Sequence, residues 1–153
     1  HGLRTFADHS AAWESMAADP GLIPGAVEEL IRWVTPLNNM FRRVRHDTEL
    51  AGTQLQAGDR VALIYPAANR DPAVFTDPDT FDISRDPNPH VAFGHGTHFC
   101  LGANLARIEL RLLFEALTSR ITNLRVVNEP DVEANIFARA VRRFDLAFDL
   151  RGD

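Results

Sequence analysis

Three observations predict a mainly α-helical chain with small β-sheets. Apolar residues recur at helical spacing before Pro36, and a longer amphipathic pattern follows Gly102. Between and after these stretches lie only short strand-like runs, broken by turn residues. At 153 residues the chain suffices for one domain with a sizeable core. Its 45% apolar and 24% charged residues are those of a soluble globular protein. The net charge of −5 gives no reason to expect nucleic acid as a partner, and no apolar run approaches membrane-spanning length. His1-Gly2-Leu3-Arg4 lacks the apolar stretch of a signal peptide, and the single cysteine excludes an internal disulfide, so a cytoplasmic location is expected.

Leu3, Phe6, Trp13 and Met16 set a loosely helical spacing from Leu3 to Ala18 that stops at Asp19-Pro20-Gly21. Pro24 opens a second helix, with Glu28 and Glu29 in its early turns, where acids suit the dipole; it ends before Pro36. From Phe41 to Tyr65 the pattern changes to strands. Glu49-Leu50-Ala51 and Val61-Ala62-Leu63-Ile64-Tyr65 are separated by turn residues at Gly52 and Ala57-Gly58-Asp59. Pro66, Pro72, Pro78, Pro87 and Pro89 then forbid a long helix or a central strand, while Val74, Phe75, Phe81 and Ile83 call for an ordered, packed meander. Leu101, Leu105, Ile108, Leu112 and Leu113 mark one face of a helix running to about Arg120. Leu124 to Asp149 reads as weaker strands, the last being Phe144-Asp145-Leu146-Ala147-Phe148. The terminal Arg151-Gly152-Asp153 reads as a frayed chain end without a function of its own.

The chemistry concentrates in Phe93-Gly94-His95-Gly96-Thr97-His98-Phe99-Cys100-Leu101-Gly102. Gly94, Gly96 and Gly102 permit positive φ and let the backbone pass close to a flat ligand. The helix that follows turns free N–H groups and its positive end toward Cys100, favouring negative charge on sulfur. A lone cysteine is ordinarily a small buried hydrophobe. So many glycines around this one argue instead for sulfur presented to a metal centre. A zinc set of His90, His95, His98 and Cys100 is disfavoured, because the paired ligand spacings are missing. Gly94-x-Gly96 also lacks the third glycine of a dinucleotide fingerprint.

Phe93-Gly94-x-Gly96-x-His98-x-Cys100-x-Gly102 matches every defining position of the haem-binding signature of the cytochrome P450 family, which this chain resembles. The resemblance implies Cys100 as the axial ligand of haem iron, where a thiolate supplies the electron push that favours O–O cleavage. It further implies His98 as a donor to a haem propionate and Phe93 as a shield on the sulfur side of the ring. Gly94, Gly96 and Gly102 belong to the same cofactor-binding loop. Glu29-Leu30-Ile31-Arg32 sets an acid and a base three residues apart on one helical face. It resembles the family's Glu-x-x-Arg pair, which the family completes with a basic residue of the meander, and Arg85 stands at that place. A buried acid between two guanidinium groups would pin meander to helix, a structural role. Of Arg42 and Arg43, strand alternation turns only one inward, and Arg42 is favoured as a propionate partner. Arg107 and Arg111 lie on the helix after Cys100, on the side where an acidic redox partner docks in the family.

The likeness extends over nearly all of the chain but only over the C-terminal part of a family member. Residues 1–153 are thus expected to be the haem-thiolate portion of a single larger domain: J and K helices, β hairpins, meander, cysteine loop, long L helix and terminal β strands. Nothing matches the distal helix with its acid–alcohol pair, so the chain alone is expected to be inactive. The intact protein is expected to be a monooxygenase carrying haem b (iron protoporphyrin IX). It would insert one oxygen atom of O2 into a small apolar substrate, of sterol or fatty acyl type, with a ferredoxin-type redox partner. Readings from other classes are a non-catalytic haem-binding module and an inert structural fragment with the cysteine simply buried.

Overall fold

The computed structural model describes residues 1–152. Helix α1 (Gly2–Asp8) and helix α2 (Ser10–Ala18) replace the single helix expected there. His9 makes the break: its Nδ1 donates to the Thr5 carbonyl at 2.8 Å, taking the acceptor that a continuing helix would give to its own backbone N–H. One 3₁₀ turn (Pro20–Leu22) follows, capped by Asp19, whose Oδ1 accepts from the Gly21 N–H at 2.9 Å. Helix α3 (Ile23–Val34) has Pro24 in its first turn and stops at Thr35, whose φ of 42° is left-handed. Glu28 and Glu29 stand beyond that first turn and serve ion pairs, not the helix dipole.

Strand β1 (Asn39–Arg43) pairs antiparallel with β4 (Arg60–Ile64), enclosing the small hairpin β2 (Thr48–Leu50) and β3 (Thr53–Leu55). Ala51 and Gly52, with φ of 48° and 80°, make the hairpin turn, so Ala51 is not part of a strand. Tyr65, expected in a strand, instead starts the one-turn helix α4 (Tyr65–Ala68), with Pro66 at its opening. The meander that follows has no regular strand and packs through Phe75, Phe81 and Ile83. Helix α5 (Ala103–Thr118) comes after the cysteine loop. Then β5 (Ile121–Val126) pairs with β8 (Leu146–Leu150), and β6 (Asp131–Val132) with β7 (Val141–Arg143), both antiparallel.

One core joins α1, α2, α3, α5 and β5. Phe6 lies at its centre, its ring 5.7 Å from Trp13, 5.0 Å from Phe114 and 5.6 Å from Phe81. Ile23, Ala26, Val27, Leu30 and Ile31 line the facing side of α3. Helix α5 meets this core through Phe114, flanked by Leu110 and Leu117, and also buries Ala103 and Thr118. Leu101, Leu105, Ile108, Leu112 and Leu113, which mark its apolar face in the sequence, are all exposed. The helix has two apolar rows, and the core takes the other one. Nor is the C-terminal end frayed at Arg151. Its side chain reaches Glu14 at 2.6 Å and the Thr118 carbonyl at 2.9 Å, while Asp153 lies outside the described residues. Among the described residues no helix is long and apolar enough to cross a membrane.

Candidate functional site

The site is built on a buried ion-pair cluster between α3 and the meander. Glu29 and Arg32 share one face of α3, and both side chains are 0% exposed. Arg32 Nε and Nη2 each donate to the Glu29 carboxylate at 2.7 Å, a bidentate fork. Arg85 Nε adds 3.2 Å, Asn88 Nδ2 3.0 Å and the Asp82 backbone N–H 2.9 Å, so five donors surround this one carboxylate. Arg32 also donates to the carbonyls of Asn69, Pro78 and Thr80, and Arg85 to those of Thr76, Asp77 and Thr80. The two guanidinium groups thereby stand in for the regular backbone pairing that the prolines forbid. Gly25 tightens the contact, since a Cβ there would come within 2.9 Å of the Ile83 carbonyl.

Asn69 carries this order to the cysteine loop. Fully buried, it donates from Nδ2 to Thr35 Oγ1 at 2.9 Å and accepts the Val91 N–H on Oδ1 at 2.8 Å. The chain then passes Phe93 and turns at Gly94 and Gly96, whose φ values of 76° and 74° are costly for any residue with a Cβ. Gly102, by contrast, has φ of −84° and serves as the N-cap of α5 without contributing a side-chain cap. A Cβ at Gly102 would lie 4.0 Å from Cys100 Sγ, which places the sulfur beside the uncapped start of the helix. The Cys100 N–H donates to the Phe93 carbonyl at 2.9 Å. Cys100 itself is exposed, not a buried hydrophobe. The loop thus fits a flat group brought to a sulfur: an open cysteine, a close backbone at two left-handed glycines, and phenylalanines at 93 and 99 beside it.

The other candidate residues stand apart from the ion-pair cluster. His98, in the short 3₁₀ turn Gly96–His98, is exposed. Arg42 pairs across to Val61 in β4 and so shares the partly buried face of Met40 and Leu63, whereas Arg43 opposes Arg60. Both arginines are exposed, so alternation selects a face but buries neither. Two distant segments also meet. Asn39 Nδ2 donates to the Ile136 carbonyl at 2.8 Å, and the Asn38 N–H to the Phe137 carbonyl at 2.8 Å. Among the described residues no three His, Cys, Asp or Glu side chains form a metal-binding group.

Sequence reasoning missed a second cluster. Arg107 is not a free surface cation: Nε and Nη2 grip Glu28 at 2.6 and 2.8 Å. Burial opposes ionisation of Glu28, but hydrogen bonds from His90 and Arg107 outweigh it and bring its carboxyl down to about 2. Hydrogen bonding to Glu28 in turn raises Arg107 above the ordinary arginine value. These partners are 62 and 79 residues from Glu28, and no local spacing announces them.

The sequence model of the cytochrome P450 family matches residues 5–138. A steroid C26-monooxygenase of Mycolicibacterium smegmatis is 47% identical over 131 residues, covering 86% of this chain and 33% of that protein. A methyl-branched lipid omega-hydroxylase of Mycobacterium bovis is 51% identical over 111 residues, covering 72% of this chain and 26% of that protein. Among solved structures, cytochrome P450-153 from Novosphingobium aromaticivorans superposes with a TM-score of 0.92 at 38% identity, over 97% of this chain and 38% of that one. P450BioI in complex with hexadec-9Z-enoic acid ligated acyl carrier protein gives 0.93 at 36% identity, over 97% and 39%. The chain spans about a third of the first of these curated relatives and about a quarter of the second.

Proposed function

The chain belongs to the cytochrome P450 family, and from that premise we propose that it forms the thiolate-side part of a haem monooxygenase domain. The observation that carries the reading is Cys100: an exposed sulfur beside an uncapped helix start, its N–H tied to Phe93, in a loop that turns on two left-handed glycines. Family membership implies haem, and haem b is the form proposed here. When bound, haem iron supplies the activation of O2 that places one oxygen atom in an apolar substrate.

The chain's own residues have separate tasks in this reading. Cys100 ligates the iron, and the unsatisfied N–H groups at the start of α5 moderate the negative charge on its sulfur. His98 and Arg42 supply donors for the two propionates. Phe93 covers the sulfur side and keeps water from the Cys100 ligand bond. Glu29, Arg32 and Arg85 stay out of the chemistry and hold the meander, and through Asn69 the loop, in place. The converging segments Pro36 to Phe41 and Asn135-Ile136-Phe137 border the substrate. A steroid or a fatty acyl chain is the proposed class, supported by the names of the two relatives above. A ferredoxin-type protein is proposed as the electron donor.

Residues 1–153 are further proposed to be one portion of a larger domain. Exposed Leu105, Ile108, Leu112 and Leu113 on α5 support this, as does a match that spans only 33% of the steroid C26-monooxygenase. The test is the spectrum of the haem-loaded protein, reduced and given CO. A strongly red-shifted Soret band is expected in the parent protein and its loss in Cys100→Ser. The same unshifted spectrum in both would overturn the thiolate assignment.

A further inference from the structure

Glu28, His90 and Arg107 take no part in the Glu29 cluster, yet they meet from three segments, Glu28 bonding the other two and these lying against the Phe93 ring. Glu28 comes from α3, His90 from the end of the meander and Arg107 from α5. Arg107 holds Glu28 by a bidentate fork and stacks its guanidinium carbon 4.7 Å from the centre of the Phe93 ring. His90, with 2% of its side chain exposed, lies with its ring 6.0 Å from that of Phe93. Its orientation is set at both nitrogens: Nδ1 accepts the Ala92 N–H at 3.3 Å, leaving Nε2 to donate to Glu28 at 3.1 Å. The Phe93 carbonyl accepts the Cys100 N–H, and its ring continues to Phe99, 6.3 Å away and next to the cysteine.

We propose that Glu28, His90 and Arg107 are positioning residues which clamp Phe93 and, through its carbonyl, set the direction in which Cys100 presents its sulfur. The proposal rests on the reading of Cys100 as the iron ligand. A planar fork fixes the guanidinium in two directions, and a guanidinium stacked on a ring fixes the ring in turn. Lysine would keep the charge and lose both the fork and the plane. The Arg107 and Glu28 side chains are 26% and 32% exposed, a setting in which ion pairs contribute little to stability. Their effect therefore belongs at the sulfur more than in the unfolding equilibrium.

The haem-loaded protein tests this with Arg107→Ala, Arg107→Lys and Glu28→Gln. Arg151→Ala serves as the control, because its ion pair with Glu14 is also partly exposed and joins the end of the chain after β8 to α2, apart from Phe93. The readouts are the fraction of the ferrous–CO complex that has lost the red-shifted band and the ferric/ferrous midpoint potential. Loss of this outer support is expected to raise that fraction about tenfold in Arg107→Ala and Glu28→Gln, less in Arg107→Lys, and not at all in the control. The ferric/ferrous equilibrium of Arg107→Ala is expected to move by up to tenfold, or about 59 mV for one electron. Should Arg107→Ala fail to accumulate with haem, Arg107→Lys and Glu28→Gln decide the matter. Unchanged spectra and potentials, or equal changes in Arg151→Ala, overturn the clamp. A red-shifted band that survives Cys100→Ser overturns the ligand assignment instead.

Discussion

Replacing Arg32 with leucine removes a side chain that uses every donor it has. Its guanidinium makes two bonds to Glu29 at 2.7 Å and others to the carbonyls of Asn69 at 2.8 Å, Pro78 at 2.9 Å and Thr80 at 3.2 Å. Arg32 and Glu29 are both 0% exposed, and breaking a buried pair from one side costs about 3–5 kcal/mol. The carbonyls of Asn69 and Pro78 lose their donor as well, at about 1–3 kcal/mol for each one left unmet. These contributions overlap, because entering water relieves both, so the expected loss is about 4 kcal/mol or more. That is a large share of a typical domain's stability of about 5–15 kcal/mol. Urea unfolding of the haem-loaded protein measures it, with Arg143→Ala as the reference. Arg143 pairs with Asp145 at 76% and 44% exposure, so its removal should change stability by about 0.5 kcal/mol or less. Arg32→Lys, with three donors and no fork, should fall between them. A loss in Arg32→Leu below about 1 kcal/mol, or equal to that of Arg143→Ala, would refute the view that this pair pins meander to helix.

Two further predictions concern the same framework. The Glu28 carboxyl, at about 2 in the folded chain against 4.5 as its ordinary value, contributes stability above the higher value that is lost as pH falls toward the lower. Discounted for partial exposure, the contribution is about 1 kcal/mol. Urea midpoints between about pH 5 and about pH 2 should therefore fall less steeply in Glu28→Gln, and parallel declines would contradict this. Gly25→Ala should destabilise by about 1–3 kcal/mol although alanine favours helices, because its Cβ meets the Ile83 carbonyl at 2.9 Å. A gain in the unfolding midpoint would show that the meander can move aside.

The parts of this fold that were legible in the sequence are those whose information is local. The start and stop of α3, the spacing Glu29-x-x-Arg32 and the run from Phe93 to Gly102 can all be read within a few residues. Helix α5 was legible as a helix but not in its orientation, because both of its apolar rows satisfy the same periodicity and only one meets a core. The break at His9 depends on a side chain taking a backbone acceptor, which the spacing of Phe6, Trp13 and Met16 does not record. Arg85 could be placed beside Glu29 only through the family resemblance. Asn88 and the Asp82 N–H, which complete that cluster, carried no signal because loop asparagines and backbone groups have none. Arg107 suggests only a partner contact in the sequence, since nothing near it reveals that Glu28 lies opposite.

The amide of Asn69 has a handedness that its shape does not reveal. The Thr35 hydroxyl gives its hydrogen to the Arg32 carbonyl at 2.6 Å, so toward residue 69 it offers only a lone pair. The Asn69 nitrogen must therefore face Thr35 and its oxygen must face Val91. Aspartate has nearly the same outline, yet it would set two electron-rich oxygens 2.9 Å apart in a place that water does not reach. Deamidation, the slow chemical ageing of asparagine, would thus act here as an unlatching event. One exchanged atom would take the donor out of the joint between α3 and the cysteine loop and set the Arg32 carbonyl and the new carboxylate competing for one hydroxyl hydrogen.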